Sequence, residues 1–478
     1  MRFIFLFLLF VSISVPSLNA QTEWFHIDTH EQSHDKTLRQ VIQVINPETN
    51  ELVVFFRYTT FIVAHKYNQE GVLKNTFRTE VLPKYKHNYF GTSIHGDAYT
   101  LFFQNDYGTK FSALTLNFET SGFQFSNKLN IPLKSETLLG TFEYKSTIYL
   151  LSTVKRSSKL KLYKLHNHEE HSEDTFDFSH IELKTYNGFK TDLNRILDGG
   201  YELPDVSLIH HGEPTSLEQV IQKNKLYLDG DQLILTNDVD AISTTLITID
   251  LDTKDTAYHR FPKPSFDKKD HSIKSNSFIL DSRLYTIYVA KETLDFSVFD
   301  INSKALLKRI VISDKDSIAF KNTPIILEGG DFQSYRELDK TKQFLKKVSN
   351  SNAGLSVYKN NGNYVVTLGS SETMTTSAFM MLYGGALGGI MVGISTSLLT
   401  TNFLTYTKTK STRIECLFNN DLTSISGTIP KNHFDIINAY IESKPKTSFA
   451  FKSIFKANGS YVLGYFDEDS KIYKYLTF

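Results

Sequence analysis

Two groups of histidines have the residue types and spacing that zinc ligands need. In the first group, His30, Glu31 and His34 match the HExxH pattern, where two histidines one helical turn apart bind zinc and the glutamate activates water. The helix of such a site carries apolar residues that fix it in the core, whereas the sequence here, DTHEQSHDKT, is polar. We therefore interpret the match as fortuitous and predict a polar turn.

The second group, His166, His168 and His171, alternates with glutamates in the stretch HNHEEHSED. These imidazoles and carboxylates could form a metal site at the surface. Clusters of this composition are more commonly solvated loops. We predict no metal ion, and the three histidines are the candidate ligands if one binds.

The patterns of catalytic nucleophiles and phosphate-binding loops predict no further site. Cys416 lies in the apolar segment RIECLF, which predicts a small buried hydrophobic residue. The stretch GTSIHG, from Gly91 to Gly96, differs from a nucleophile elbow because His95 replaces the final glycine. The GGALGG at Gly384 lacks the spacing and the strand-to-helix context of a phosphate site. No cofactor is predicted.

The charge balance excludes several classes of partner. Lys plus Arg and Asp plus Glu number 52 each, so the formal net charge is zero. The chain as a whole therefore lacks the electrostatic signature of a protein that binds nucleic acid or anionic lipid. The basic stretch from Lys155 to Lys164, KRSSKLKLYK, is interpreted as a solvated strand face.

The first twenty residues have the pattern of a secretory signal peptide. Met1 and Arg2 provide a positive start, Phe3 to Val15 is apolar, and Ala20 is a small residue suited to cleavage. We expect the mature chain to begin at Gln21 without a lipid anchor, because no cysteine follows the apolar stretch. The composition resembles that of exported proteins from AT-rich Gram-negative bacteria. The expected location is the periplasm or the outer membrane.

Short runs of β-branched and aromatic residues recur along the chain, and each alternates or is continuously apolar, as a buried strand does. Several are followed by a second strand that ends in a polar turn. The runs are LVVFF from Leu52, AYTLFF from Ala98, TIYLLS from Thr147, QLILTN from Gln232, RLYTIYVA from Arg283, NYVVTLG from Asn363 and SYVLGYF from Ser460.

Seven such units, of roughly 45 to 50 residues each, resemble the blades of a β-propeller. The resemblance implies an all-β fold with a single propeller domain over residues 21–478 and about seven blades, six to eight being possible. The ends favour closure, because WFHIDTH at Trp24 could supply the outer strand of a last blade built from TSFAFKSIF, SYVLGYF and KIYKYLTF. The resemblance is architectural only, since the chain has no WD series, kelch glycine pairs or sialidase Asp boxes.

An outer-membrane β-barrel is the alternative fold, because Phe478 ends an alternating strand. Barrel strands need an apolar lipid-facing side over about ten residues. Charges such as Lys145, Lys291 and Glu292, in or beside the predicted strands, fit that requirement poorly.

Two polar segments interrupt the rhythm of the blades. The first, residues 166–225, is predicted to be an interblade insertion with a short helix, SLEQVIQ, whose N-cap is Thr215 or Ser216. The second, from Glu328 to Ala353, has helical character around LDKTKQFLKKV and is expected to pack on a propeller face.

The third interruption is apolar and differs from the rest of the chain. Residues 373–407 contain no Asp, Glu, Lys or Arg, although 22% of the chain is charged. The middle of this run, Ala378 to Thr400, is about 23 residues long, enough for a helix to cross a bilayer core of roughly 30 Å. NYVVTLGSS before it and TRIECLF after it resemble neighbouring strands of one blade. The run is therefore predicted to be a long hairpin connection within that blade.

On a helix, the glycines of this run would form one ridge and its large apolar residues the opposite side. Interior glycines make a poor helix in water, but a small ridge allows close contact with a membrane helix or an apolar partner. A Gly-rich hairpin and a helix buried against the protein's own propeller are the alternatives. The predicted binding residues are Met380, Met381, Gly385, Leu387, Gly389, Ile390, Met391, Gly393, Ile394 and Leu398.

These features favour a non-enzymatic β-propeller scaffold in the bacterial cell envelope. It would be an accessory or plug-type subunit that docks to a membrane or to an outer-membrane protein complex through residues 373–407. The alternative is a secreted propeller hydrolase or lyase that acts on glycans through acidic residues on the axial face. Convergent carboxylates around the central channel would favour the enzyme, and an apolar channel mouth would favour the scaffold.

Overall fold

The computed structural model describes residues 21–29, 38–79, 88–105, 109–198, 206–265, 273–329, 334–372, 396–407, 410–445 and 449–478. Within these ranges, seven sheets of four or five strands follow one another along the chain. The fold is a seven-bladed β-propeller, as the repeated strand pairs predicted. The expected signal peptide, residues 1–20, and the HExxH stretch at 30–34 lie outside the described residues.

The first three blades have the regular pattern of four antiparallel strands in chain order. The first strand of each blade is innermost and mostly buried, and the fourth is the exposed outer strand. The strands are β1 (Thr22–Asp28), which belongs to the last blade; β2 (Gln40–Ile45), β3 (Leu52–Arg57), β4 (Ile62–Tyr67) and β5 (Leu73–Arg78) in blade 1; β6 (Asn88–His95), β7 (Ala98–Gln104), β8 (Phe111–Asn117) and β9 (Gly122–Leu129) in blade 2; and β10 (Glu136–Tyr144), β11 (Thr147–Val154), β12 (Lys159–Leu165) and β13 (His171–Asp177) in blade 3.

Alternation along the strands explains why the blades stack around a ring. In β7, Tyr99, Leu101 and Phe103 point into the core shared with blade 1. Phe102, between them, points into the core shared with blade 3. A strand with both faces buried is consequently apolar at successive positions, which is the pattern that the sequence showed.

Blades 4 and 5 follow a connection that carries its own small elements. Blade 4 gains a fifth strand, which pairs in parallel with its innermost antiparallel strand. The helix predicted at SLEQVIQ is present, and Ser216 is its N-cap. The elements are β14 (Leu183–Lys184), β15 (Lys190–Thr191), α1 (Leu193–Leu197), β16 (Val206–Ile209), α2 (Leu217–Val220), β17 (Asn224–Asp229), β18 (Gln232–Asn237), β19 (Ser243–Asp250) and β20 (Thr256–Pro262) in and before blade 4, and β21 (Lys274–Leu280), β22 (Arg283–Val289), β23 (Thr293–Asp300) and β24 (Leu306–Ser313) in blade 5.

The predicted insertion at 166–225 therefore has different boundaries in the structure. Its first part, HNHEEHSED, forms the turn between β12 and β13 and the start of β13, because polar alternation suits an exposed outer strand. Its last part includes the start of β17. The chain between β13 and β17, residues 178–223, includes β16, the added strand of blade 4.

Blade 6 departs from the regular order. Its two outer strands precede its three inner strands in the chain, and the spatial order is β26, β25, β29, β28, β27. The predicted helix at LDKTKQFLKKV is present and buries Phe344, Leu345 and Val348. The elements are β25 (Ile325–Gly329), β26 (Ser334–Leu338), α3 (Thr341–Ser349), β27 (Asn352–Asn360), β28 (Asn363–Ser371), α4 (Thr396–Tyr406) and β29 (Ser411–Phe418), followed by α5 (His433–Glu442).

Blade 7 closes the ring as the sequence predicted. Its outer strand is β1, from the start of the described chain, which pairs antiparallel with the last strand. Phe25 stacks on Tyr475 at 4.7 Å between ring centroids, so the closure also has an aromatic core. The other strands are β30 (Ala450–Ala457), β31 (Ser460–Asp467) and β32 (Ile472–Thr477).

The connections lie on two opposite faces of the ring. Since neighbouring strands are antiparallel, the links between second and third strands emerge on the same face as the links from one blade to the next. Contacts between neighbouring blades show that corresponding strands run in the same direction. For example, Lys145 in the β10–β11 turn of blade 3 lies 2.6 Å from Asp252 in the β19–β20 turn of blade 4. The β28–β29 link emerges on this face, which we call the insert face.

Candidate docking face

Both ends of the apolar run are held on the insert face. Ser371, at the end of β28, pairs with Ser411, at the start of β29, which is the pairing that the flanking sequences predicted. The Ser371 hydroxyl donates a hydrogen bond to the Lys410 carbonyl at 2.7 Å. Of the ten predicted binding residues, those from Met380 to Ile394 lie outside the described residues. Leu398 lies in α4, without a described side-chain position.

The last part of the run belongs to the propeller's own core. Leu399 and Phe403 of α4 are each only 3% exposed and pack with the side chains of blade 7. The Thr400 hydroxyl accepts a hydrogen bond from the Ile454 amide at 2.8 Å, on the innermost strand of that blade. The prediction of a hairpin connection over the whole run 373–407 is therefore wrong for its last part, which forms a helix buried against the propeller, the alternative considered above. An uncharged run suits a protein core as well as it suits a bilayer.

A polar link joins α4 to the connection before blade 4. The Asn402 amide donates to the Pro214 carbonyl at 3.0 Å. The neighbouring Glu213, only 3% exposed, accepts from the Tyr461 hydroxyl at 2.5 Å and forms an ion pair with Lys456. Burial and the Glu213 carboxylate raise the pKa of the Tyr461 phenol, so it stays a hydrogen-bond donor. The root of the apolar run is thereby fastened to blade 7 and to the connection before blade 4.

A second feature on the insert face was missed in the sequence. The hairpin of β14 and β15 leaves the connection between blades 3 and 4, and its tip exposes Tyr186 and Phe189. The tip sequence, TYNGF, contains Asn187-Gly188, a strong hairpin signal that could have revealed it. Gly188 has a φ of +82°, which favours glycine at this position of the turn.

The histidine candidates are not brought together. The His168 Nδ1 lies 3.1 Å from the Thr115 hydroxyl, and the His166 Nε2 lies 3.2 Å from the Ser172 hydroxyl. Across the part of the chain that the structure describes, no group of three or more His, Cys, Asp or Glu side chains could hold a metal ion.

The two candidate nucleophiles have structural surroundings. Cys416 is fully buried in β29, as predicted, and burial raises the pKa of its thiol. The Ser93 hydroxyl donates to the Leu165 carbonyl at 2.8 Å and accepts from the Ile148 amide at 3.0 Å. Ser93 therefore fastens blade 2 to blade 3.

Several carboxylates near the inner strands are paired with cations. Glu51 accepts from Lys66 at 2.9 Å and from Lys74 at 3.0 Å. Asp281 and Lys359 form an ion pair at 2.5 Å between blades 5 and 6. These pairs tie strands and blades together.

A buried polar cluster fastens blade 4 to blade 5. The fully buried Asp238 carboxylate accepts from the Thr244 hydroxyl at 2.6 Å and the Ser277 hydroxyl at 2.7 Å, with the Lys225 ammonium at 3.5 Å. Burial lowers the pKa of the nearby Lys263 to about 8, although its ammonium donates to the Asp238 carbonyl at 2.8 Å. Sequence patterns cannot show this cluster, because its members come from separate strands.

Glu143, on the innermost strand of blade 3, differs from these paired groups. Burial raises the pKa of its carboxyl to about 7. Its pairing partner across the sheet is Ile148 on β11. Sequence patterns do not single out this residue, because one glutamate in a strand is ordinary.

None of the helices that the structure describes is both long and apolar enough to cross a bilayer. No protein-family model matches the sequence, and no curated protein matches it.

Solved structures give distant likenesses. The WD40 domain of SCAP from fission yeast matches at 10% identity and a TM-score of 0.27, over 92% of this chain and 84% of that one. AztD from Citrobacter koseri matches at 12% identity and a TM-score of 0.24, over 58% and 63%. The dihydro-heme d1 dehydrogenase NirN matches at 11% identity and a TM-score of 0.25, over 57% of this chain and about half, 47%, of its own. Likenesses this low carry no argument about function.

Proposed function

We propose that the protein is an exported scaffold that docks, through residues 373–395, to a membrane or to an apolar surface of an outer-membrane protein complex. The observation that carries the proposal is the contrast between this segment and its roots. The segment has no charged residue, and it is held between β28, paired to β29, and the buried helix α4.

Because both ends of the segment are fixed to the propeller, docking of the segment would hold the whole propeller in place. Burying roughly eight large apolar side chains could contribute on the order of 10 kcal/mol before ordering costs. Because α4 packs on blade 7 and bonds to the connection before blade 4, a force at the segment would be passed to the propeller as a whole. The expected signal peptide supports an envelope location for this docking.

The test replaces residues 375–393 with a Gly/Ser sequence of the same length and leaves α4 in place. The scaffold proposal expects the intact protein to co-sediment with envelope membranes and the replaced protein to stay in the supernatant. Melting curves should coincide, because the proposal assigns this segment to a partner and not to the propeller core, and replacement at equal length leaves the cost of loop closure nearly unchanged.

A matched control separates docking from folding. Phe403→Ala damages the buried helix while keeping the apolar segment, so it should lower the melting temperature and retain attachment below that temperature. Equal attachment of the intact and the Gly/Ser-replaced proteins would contradict the proposal and favour a segment that serves only the propeller itself.

A glycan-cleaving enzyme is the second candidate, and it is favoured by the position of Glu143, an acidic residue on the innermost strand of blade 3. A carboxyl with a pKa of about 7 is suited to general acid catalysis near neutral pH. Glu143→Gln should then abolish release of sugars from envelope glycans. The scaffold proposal expects no such release from either protein.

A further inference from the structure

We propose that the tip of the β14–β15 hairpin, residues 184–190, enters the head-group layer of a lipid bilayer at the insert face. We call it the aromatic tip. This inference rests on the proposed docking function and names the partner as a lipid surface. It starts from two aromatic side chains that the propeller leaves in solvent: Phe189 is 72% exposed and Tyr186 is 53% exposed.

The exposure is built into a rigid turn. The Gly188 amide donates to the Thr185 carbonyl at 2.9 Å, and the Thr185 amide donates to the Phe189 carbonyl at 2.9 Å. The Phe189 amide also donates to the Thr185 hydroxyl at 3.2 Å. Since the turn is already ordered, an apolar contact made by its side chains would cost little additional conformational entropy.

The base of the hairpin is fixed to the ring. Leu183 is 2% exposed, and Leu193, just after β15, is fully buried in the core shared by blades 3 and 4. The Arg260 guanidinium, at the end of blade 4, donates to the Glu182 carbonyl at 2.7 Å. The aromatic tip therefore keeps its position relative to the insert face.

Exposed cations lie on the hairpin itself and on the neighbouring β11–β12 turn. Lys190 is exposed at the tip, and Lys155 and Arg156 are exposed in the β11–β12 turn. The Arg156 amide donates to the Asn194 side chain at 3.0 Å, which holds that turn beside α1. Among the residues that the structure describes, no ion pair joins these three cations to a carboxylate, so they are available to lipid phosphates.

The zero net charge of the whole chain does not show that Lys155, Arg156 and Lys190 lie on one face. These residues belong to the basic stretch that the sequence analysis interpreted as a solvated face, and to a connection far from it in sequence. Aromatic rings beside Lys and Arg are the composition that proteins place at the boundary between lipid and water.

The topology explains why a lipid surface fits better than a single protein pocket. The hairpin lies in the link from blade 3 to blade 4, and the apolar segment lies in the link from β28 to β29 of blade 6. Both links emerge on the insert face, but blade 5 separates them around the ring. A flat, extended surface can contact both points at the same time.

The test measures co-sedimentation with vesicles of phosphatidylethanolamine and phosphatidylglycerol. The tip variant is Tyr186→Ser with Phe189→Ser, and the matched control is Leu306→Ser with Val311→Ser, on the outer edge of blade 5, where both residues are also about half exposed. We expect the tip variant to bind about tenfold more weakly and the control to bind as the intact protein does. Lys155→Gln with Arg156→Gln should weaken binding at low salt and have little effect at high salt.

A Phe189→Trp variant reports on the contact itself. Its fluorescence should shift to the blue on adding vesicles, whereas the intact protein, with Trp24 alone, should show no such shift. Melting curves of every variant confirm that the ring is folded.

The outcomes separate the two proposals. If the tip variant binds like the intact protein while the Gly/Ser-replaced protein does not, the inference is overturned and the docking function stands. If the intact protein ignores vesicles but is retained by detergent-solubilised envelope proteins, the partner is a protein and the inference is again overturned. If the Gly/Ser-replaced protein binds and the tip variant does not, the inference stands and the docking function of residues 373–395 fails.

Discussion

Helix α4 and the aromatic tip are two apolar regions that end in opposite environments. Phe403 of α4 is 3% exposed, whereas Phe189 of the tip is 72% exposed. The difference lies in the polar groups around them. Thr400 and Asn402 of α4 bond to blade 7 and to the Pro214 loop, while the polar groups of the tip bond to each other. Apolar composition alone does not show whether a segment serves the core or a partner.

The largest effect is expected when Phe403 of α4 is replaced by alanine, and Phe189→Ala in the tip is the comparison. Phe403→Ala should lower the free energy of unfolding by about 3–5 kcal/mol, because it leaves a cavity between α4 and blade 7. Phe189→Ala should change it by less than about 0.5 kcal/mol. Urea denaturation of both variants measures the free energy of unfolding, and equal losses would contradict the predicted difference.

The next largest effect concerns the hydrogen bond between Glu213 and Tyr461, near the contact of α4 with Pro214. Glu213→Ala should cost about 1–3 kcal/mol, because the buried Tyr461 hydroxyl loses its acceptor. Glu213→Gln, which keeps an acceptor, is the matched control and should cost less. If both variants melt like the intact protein, the root of the apolar run is not fastened as we describe.

Glu143 tests whether the ring responds to pH independently of the docking face. Burial raises the pKa of its carboxyl from 4.5 to about 7. Between those values the folded protein holds a proton that the unfolded chain has released, so the free energy of unfolding should fall as pH rises through this window and level off above it.

Glu143→Gln should remove about 1–2 kcal/mol of this dependence, toward the lower end because the side chain keeps some exposure. Urea titrations at about pH 5 and about pH 8 measure it. Vesicle binding by the Gln variant should match that of the intact protein. An unchanged pH profile would show that the carboxyl ionises normally in the fold.

The last effect on stability is expected at Gly188, in the turn of the aromatic tip. An alanine there must adopt a φ of +82°, which should cost about 1 kcal/mol. Nothing lies within 4 Å of the added methyl group, so the loss should be confined to the turn. Vesicle binding should weaken because the strained turn no longer holds Tyr186 and Phe189 in their present positions. Binding equal to that of the intact protein would show that the turn's rigidity does not matter.

Much of the ring could be predicted because each blade is a local hairpin pattern. Alternation and turn residues identified the strand runs, and Trp24 with the C-terminal strands identified the closure. The order of blade 6 could not be predicted, since nothing in β25 or β26 shows that they pair outside β29. The burial of α4 was one of several alternatives that the sequence could not decide between, because its partners, such as Ile454, lie far away in sequence. The aromatic tip has a local signal in Asn187-Gly188, which predicts a hairpin turn but not the exposure of Tyr186 and Phe189.

Photo-cross-linking from Leu387 is the most direct test of docking through residues 373–395. A photoreactive amino acid replaces Leu387 in one protein and Leu307, on the outer edge of blade 5, in a control, and both are irradiated in intact envelopes. If residues 373–395 dock as proposed, adducts with lipid or with an envelope protein should form from position 387 and none from position 307. Cross-links from position 387 to this chain alone would contradict it, because the segment would then pack on its own propeller.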